Sequence, residues 1–121
     1  MKVLLVRPPR RDSTDAGLSV PPLGLAYIAA VVRKAGHRVS ILDAYATNMG
    51  WQKFEDFIRE ARPDVLGLSA MTPVADVAAR AINIARPYVD KIVIGGPHPT
   101  AVGNAIFGEM PGLDAAVIGE G

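Results

Sequence analysis

The chain has 121 residues, half of them hydrophobic, with a formal net charge of +1 and no cysteine. That length makes one domain, with enough apolar residues to bury a core. Scattered charges disfavour a nucleic-acid surface. The lack of cysteine rules out a disulfide framework, a thiolate nucleophile or an iron–sulfur cluster held by these residues. No run reaches the roughly 18–20 apolar residues of a membrane span. The opening MKVLLVRPP is too short, and too soon broken by arginine and proline, for a secretory signal. A soluble cytoplasmic domain is the expectation.

In chain order, Lys2 to Val6 is a short, continuously apolar run, the pattern of a strand buried on both faces of a parallel sheet. The loop RPPRRDSTDAGLSVP follows. Leu25, Ile28, Ala29 and Val32 then repeat at helical spacing, with Lys34 in the last turn and Gly36 as the stop. Arg38 to Asp43 reads as the second strand. Trp51, Phe54, Ile58 and Ala61 mark a second amphipathic helix, ended by Pro63. Asp64 to Ser69 is the third strand. Thr72 can cap a helix with Pro73 in its first position, continued by Val74, Val77, Ala78, Ala81 and Ala85. Lys91 to Ile94 and Ala115 to Ile118 are the fourth and fifth strands. Between them Pro99 to Phe107 is a weaker helix, its register blurred by Gly103.

This alternation implies an α/β fold, a doubly wound parallel sheet of five strands with helices on both faces. Right-handed crossovers favour the strand order 2-1-3-4-5. No closing helix follows the fifth strand, so the chain reads as a fragment of a longer polypeptide that lacks the last helix of its sheet. Folds of this type bind ligands at the carboxyl ends of their strands, near the switch point between the first and third. Four segments fall there: the loop after Val6, the turn SAMTP (69–73), the turn GGPHPT (95–100) and the terminal GEG (119–121). The opposite turns, RKAGHR, EARPD, ARPYVDK and EMPGLD, read as ordinary connections.

The usual occupants of the fold are excluded by their motifs. No glycine-rich turn follows the first strand, so Asp43 reads as a strand-end residue, not a ribose-binding acid. No P-loop occurs. Ser69 stands where a phosphoacceptor aspartate would end the third strand, and Gly67-Leu68-Ser69-Ala70-Met71 lacks the second glycine of a nucleophile elbow. The histidines are His37, on a turn at the far end, and His98, with no histidine or cysteine companion to complete a metal site. No catalytic constellation and no metal site emerge. Gly95 and Gly96 remove Cβ atoms where the fourth strand ends, so a ligand can approach the main chain, and Pro97 and Pro99 stiffen the turn. At any single turn, glycines that end a strand and a threonine that caps a helix are explanation enough. Three such turns on one edge suit a shared binding surface.

The start MKVLLVRPP, residues 20–44 (VPPLGLAYIAAVVRKAGHRVSILDA), PDVLGLSAMT (63–72), IVIGGPHPT (92–100) and VIGEG (117–121) together resemble the N-terminal cobalamin-binding domain of cobalamin-dependent radical S-adenosylmethionine enzymes. The resemblance implies a flavodoxin-like fold with the nucleotide tail of cobalamin threaded beside the sheet. It places Ser69, Ala70, Met71 and Thr72 near that tail, Gly95, Gly96, Pro97 and His98 along it, and Gly119, Glu120 and Gly121 at its edge. Related cobalamin domains carry DxHxxG after the first strand, its histidine a cobalt ligand. Here DSTDAGLS (12–19) has no histidine. The resemblance therefore implies base-off cobalamin without a histidine ligand, the lower cobalt face being left to water or loop side chains. It also implies a downstream domain carrying an iron–sulfur cluster and S-adenosylmethionine. This chain would then be catalytically incomplete, part of a methyltransferase or of an oxidative cyclase acting on magnesium-protoporphyrin monomethyl ester. The alternative is a degenerate flavodoxin-like module that packs on a catalytic domain and binds no cobalamin.

Overall fold

A computed structural model of the protein describes residues 1–10, 23–69, 75–95 and 103–116. Five strands, β1 (Lys2–Arg7), β2 (Arg38–Asp43), β3 (Val65–Ser69), β4 (Lys91–Gly95) and β5 (Ala115–Ala116), form one parallel sheet in the order β2-β1-β3-β4-β5. Among the described residues the α-helices are α1 (Leu23–Lys34), α2 (Trp51–Ala61), α3 (Ala75–Ala85) and the short α4 (Ile106–Glu109). This is the expected doubly wound, flavodoxin-like architecture.

The elements begin and end for identifiable reasons. After α1 the chain turns at Gly36, whose φ of 99° is a left-handed conformation that costs glycine little. Helix α2 stops at Arg62, also left-handed (φ 42°), whose N–H donates to the Ile58 carbonyl at 2.9 Å. Pro63 follows and cannot continue the helix. The sequence predicts the weaker fourth helix over Pro99 to Phe107; residues 99–102 lie outside the described residues, and the described part extends beyond that expectation at its C-terminal end. A 3₁₀ turn at Gly103–Ala105 precedes α4, which runs past Phe107 to Glu109. Its packing residue, Ile106, is fully buried, and this tertiary anchor outweighs the poor helix propensity of Gly108.

Strand alternation divides the core into two layers. Leu4, Val6, Leu42, Leu66, Leu68, Ile92 and Ile94 face α2 and α3 and pack with Phe54, Ile58, Ala78, Ala81, Ile82 and Ala85. On the other face Val3 and Leu5 pack with Leu25 and Ala29 of α1, flanked by Val32, Val39 and Val65. The first layer is tightly sealed: Phe54, Ile58, Leu66, Ile82, Ile92 and Ile94 have no accessible surface. In the second, Ile28 departs from expectation. It is 40% exposed and shares the outer side of α1 with Tyr27 and Val31. The 3.6-residue period puts positions 25, 29 and 32 in one narrow stripe, with Ile28 on its margin.

The amino edge of the sheet is more organised than its turn-like sequences imply. Asp64 accepts the Lys2 N–H on its Oδ2 at 2.8 Å, and Asp114 accepts the Ile92 N–H in the same way at 2.8 Å. Arg86 donates to Asp114 and to the carbonyls of Gly112, Val89 and Asp90, so one guanidinium ties the connection before β4 to the one before β5. His37 belongs to this edge, its Nδ1 3.4 Å from the terminal amine.

Truncating Phe54 to alanine in the sealed layer should cost about 3–5 kcal/mol of unfolding free energy. Tyr27→Ala, on the exposed side of α1, should change it by less than about 0.5 kcal/mol. Urea denaturation of the two variants beside the wild type measures both.

Candidate functional site

The parallel register sets what stands at the carboxyl edge. Strands β1 to β4 end at Arg7, Asp43, Ser69 and Gly95. Arg7 pairs with Asp43, Val6 with Leu68, and Ser69 with Gly95. One row, Asp43–Arg7–Ser69–Gly95, therefore crosses four strands on the face that carries α1. The row beneath it is Ile41–Leu5–Gly67–Val93–Ala115.

This face is covered unevenly. Over β1 it is closed by α1, and Val3 and Leu5 are buried. Along β3 and β4 the residues on the same face, Val65, Gly67, Ser69, Val93 and Gly95, are all half-buried, whereas Leu66, Leu68, Ile92 and Ile94 behind them are fully enclosed. No side chain in that strip is larger than valine. At Gly67 a Cβ would lie 2.8 Å from Leu5 Cδ2, so the leucine side chain would have to move aside. The described residues thus form a cradle of small side chains running down the sheet from Ser69 and Gly95, with Leu5 filling the space over Gly67.

The β1 side of the cradle is bounded by a charged cluster. Arg7 donates to Asp43 through Nε (2.7 Å to Oδ1) and Nη2 (2.6 Å to Oδ2), a bidentate pair whose side chains are about four-fifths buried. Asp43 Oδ1 also accepts the Ala46 N–H at 3.0 Å. The Arg7 guanidinium lies 5.1 Å from the centre of the Tyr45 ring, and that of Arg10 lies 4.5 Å from it. Arg10 Nε donates to the Tyr45 carbonyl at 3.0 Å. Between them Pro8 and Pro9 are buried. Burial of Asp43 alone would raise its pKa. The Arg7 hydrogen bond, the Ala46 amide and the Arg7 charge together outweigh it and hold the carboxyl below its ordinary value.

Of the residues nominated from the sequence, Ser69 and Gly95 are brought together as register neighbours at the head of the cradle. Ala70, Met71, Thr72, Gly96, Pro97, His98, Gly119, Glu120 and Gly121 lie outside the described residues, as does the segment 12–19. Sequence reading treated Asp43 as a plain strand end and did not join it to Arg7. The available signal was positional: in a 2-1-3-4-5 sheet the last residues of the first two strands are neighbours. Among the described residues, no three histidine, aspartate or glutamate side chains gather to hold a metal ion. The open pocket of about 330 Å³ lined by Asp76, Ala79, Glu109 and Met110 belongs to the opposite face, beside α3 and α4.

Open parallel sheets of this order take ligands at the carboxyl edge of their strands, where these small residues stand. The B12 binding domain family matches residues 13–121, and the chain belongs to that family. It is 37% identical over its whole length to an uncharacterized methyltransferase of Pyrococcus horikoshii, covering 27% of that protein. It is 30% identical to an anaerobic magnesium-protoporphyrin IX monomethyl ester cyclase of Cereibacter sphaeroides and 30% to a hopanoid C-3 methylase of Methylococcus capsulatus. It spans 20% and 24% of those two, again matching with its full length. No helix among the described residues is long and apolar enough to cross a membrane.

The depressed Asp43 pKa has a definite sign. A carboxyl whose folded pKa lies below its unfolded one contributes stability above the unfolded value, and loses it as pH falls through the folded value. Asp43→Asn should therefore be less stable than wild type at neutral pH. The gap should begin to close near pH 4, about where an unfolded aspartate titrates. Urea midpoints of both proteins across pH 2.5–7 test this; the lowered Asp114 carboxyl is common to both and cancels in the difference.

Proposed function

We propose that this chain is the cobalamin-binding module of a cobalamin-dependent radical S-adenosylmethionine enzyme, and that it holds the cofactor base-off without a histidine ligand to cobalt. The observation that carries this reading is the half-buried strip Val65, Gly67, Ser69, Val93 and Gly95 on one sheet face. Among the described residues it is narrow and free of bulky side chains. Such a surface suits the extended nucleotide tail of base-off cobalamin, whose planar benzimidazole can lie close to the main chain. Ser69 at the strip's head can hydrogen-bond that tail, and Gly95 lets it pass the end of β4. Ala70, Met71 and Thr72, with Gly96, Pro97 and His98, would extend the contacts on the two turns, and Gly119, Glu120 and Gly121 would close the edge beyond β5.

The absence of histidine from DSTDAGLS supports the cobalt assignment, because that loop is where a ligating histidine would stand. Cobalamin, when bound, supplies a cobalt centre able to carry a methyl group. This chain's residues hold and orient the cofactor and shield its tail from water. The reaction belongs to the rest of a longer polypeptide, with an iron–sulfur cluster and S-adenosylmethionine in a further domain. The relatives, of which this chain spans a quarter or less to just over a quarter, support that division. Methyl transfer or an oxidative cyclisation is the reaction class, in the cytoplasm.

Hydroxocobalamin added to the purified chain and passed through a desalting column should elute with the protein at about one equivalent. Colourless protein, with no spectral change on titration, would support instead a packing module of the same fold. His98→Ala should weaken retention only modestly and leave the visible and electron-spin spectra unchanged. Loss in that variant of an axial-nitrogen splitting seen in the wild-type electron-spin spectrum would make His98 a ligand and overturn the histidine-free assignment.

A further inference from the structure

We infer that Arg7, Asp43, Tyr45 and Arg10 form a positioning unit that fixes how cobalamin is seated on the β1 side of the edge; the inference rests on the cobalamin-binding reading above. Arg7 stands in register between Asp43 on β2 and the Ser69 row on β3, so its long side chain can lie over either neighbour. Two hydrogen bonds to Asp43 and the face of Tyr45 turn the guanidinium toward β2, away from the strip along β3 and β4. A planar fork held at two atoms has little freedom left, and Asp43 is itself fixed by the Ala46 N–H.

Stapling the strands together is not enough to explain the cluster. Main-chain pairing already reaches this point, the Ala44 N–H donating to the Arg7 carbonyl at 3.1 Å. The side-chain pair adds orientation. Arg10 extends the same logic three residues on. With Pro8 and Pro9 buried, its bond to the Tyr45 carbonyl and its contact with the Tyr45 ring pin residues 7–10 against residues 43–46. The chain is therefore held in place as far as Arg10, just ahead of the segment 12–19 that replaces the histidine loop of related domains. Moving that anchor point, or releasing Arg7 over the strip, would shift the corrin ring relative to the sheet.

The test uses the full 121-residue chain, hydroxocobalamin as probe, and two readouts: the dissociation constant and the visible spectrum of the bound cofactor. Asp43→Asn, which keeps an acceptor for Ala46 but loses the charged bidentate pair, should bind about tenfold more weakly, equivalent to about 1.4 kcal/mol. Its bound spectrum should be shifted, because the corrin absorption reports the surroundings of the ring. Arg10→Gln, which leaves the Arg7–Asp43 pair intact, should bind about threefold more weakly with a spectral shift of the same sense. Unchanged affinity and spectrum in both variants overturn the inference while leaving the cobalamin reading intact. So does weaker binding with an unshifted spectrum that merely follows loss of native circular dichroism in the apo-protein. If Asp43→Asn does not fold, Arg10→Gln decides by the same criteria. A wild-type chain that binds no cobalamin overturns the underlying reading, and this is seen before any variant is made.

Discussion

Parallel pairing of β1 with both β2 and β3 is the constraint on which the rest of this domain depends. It makes β1 the point where the chain's winding reverses, so the helices that follow β1 and β3 pack on opposite faces of the sheet. It also fixes register, and register decides which side chains meet. Because Arg7 is opposite Asp43 and one step beyond the Val6–Leu68 pair, the edge is charged over β2 and β1 and small and neutral over β3 and β4. A slip of one residue would turn Arg7 and Asp43 into the sealed apolar layer against α2. The buried row Leu4, Val6, Leu66 and Leu68 forbids that slip, and in this way hydrophobic packing on one face specifies polar chemistry on the other.

The two faces have different tasks. The layer under α2 and α3 contains the large, wholly enclosed side chains that give a small domain its stability. The other face trades burial for access: Gly67 contributes almost nothing to packing, yet its missing Cβ lets Leu5 close against β3. At the amino edge, Arg86, Asp64 and Asp114 tie strand starts and connections together, leaving the carboxyl edge as the face where loops can be given over to a ligand.

Much of this was legible in the sequence. Short apolar strands alternating with amphipathic segments carry both the fold class and the strand order, because crossover handedness leaves few alternatives. Ser69 and Gly95 were legible as strand ends at the binding edge. What escaped were features that exist only after strands pair. The Arg7–Asp43 ion pair joins residues 36 positions apart, and nothing local distinguishes its aspartate from a solvated strand terminus. The exposure of Ile28 turns on where α1 lies over β1, which periodicity alone does not set. The Arg86 network was hidden in turns whose proline and glycine content reads as simple connection. Outside the described residues, the turns at 70–74 and 96–102 rest on the sequence alone.

If the chain seats cobalamin as proposed, one ligand lies along β3 and β4 and against the end of β1. Amide hydrogen exchange with and without hydroxocobalamin tests it most directly. Protection should rise at Gly67, Ser69, Val93 and Gly95 and around Arg7, with no change at Ile92, Asp114 or the other amino-edge amides. Protection confined to the amino edge or to α2 and α3, or an exchange pattern indifferent to cobalamin, would contradict it.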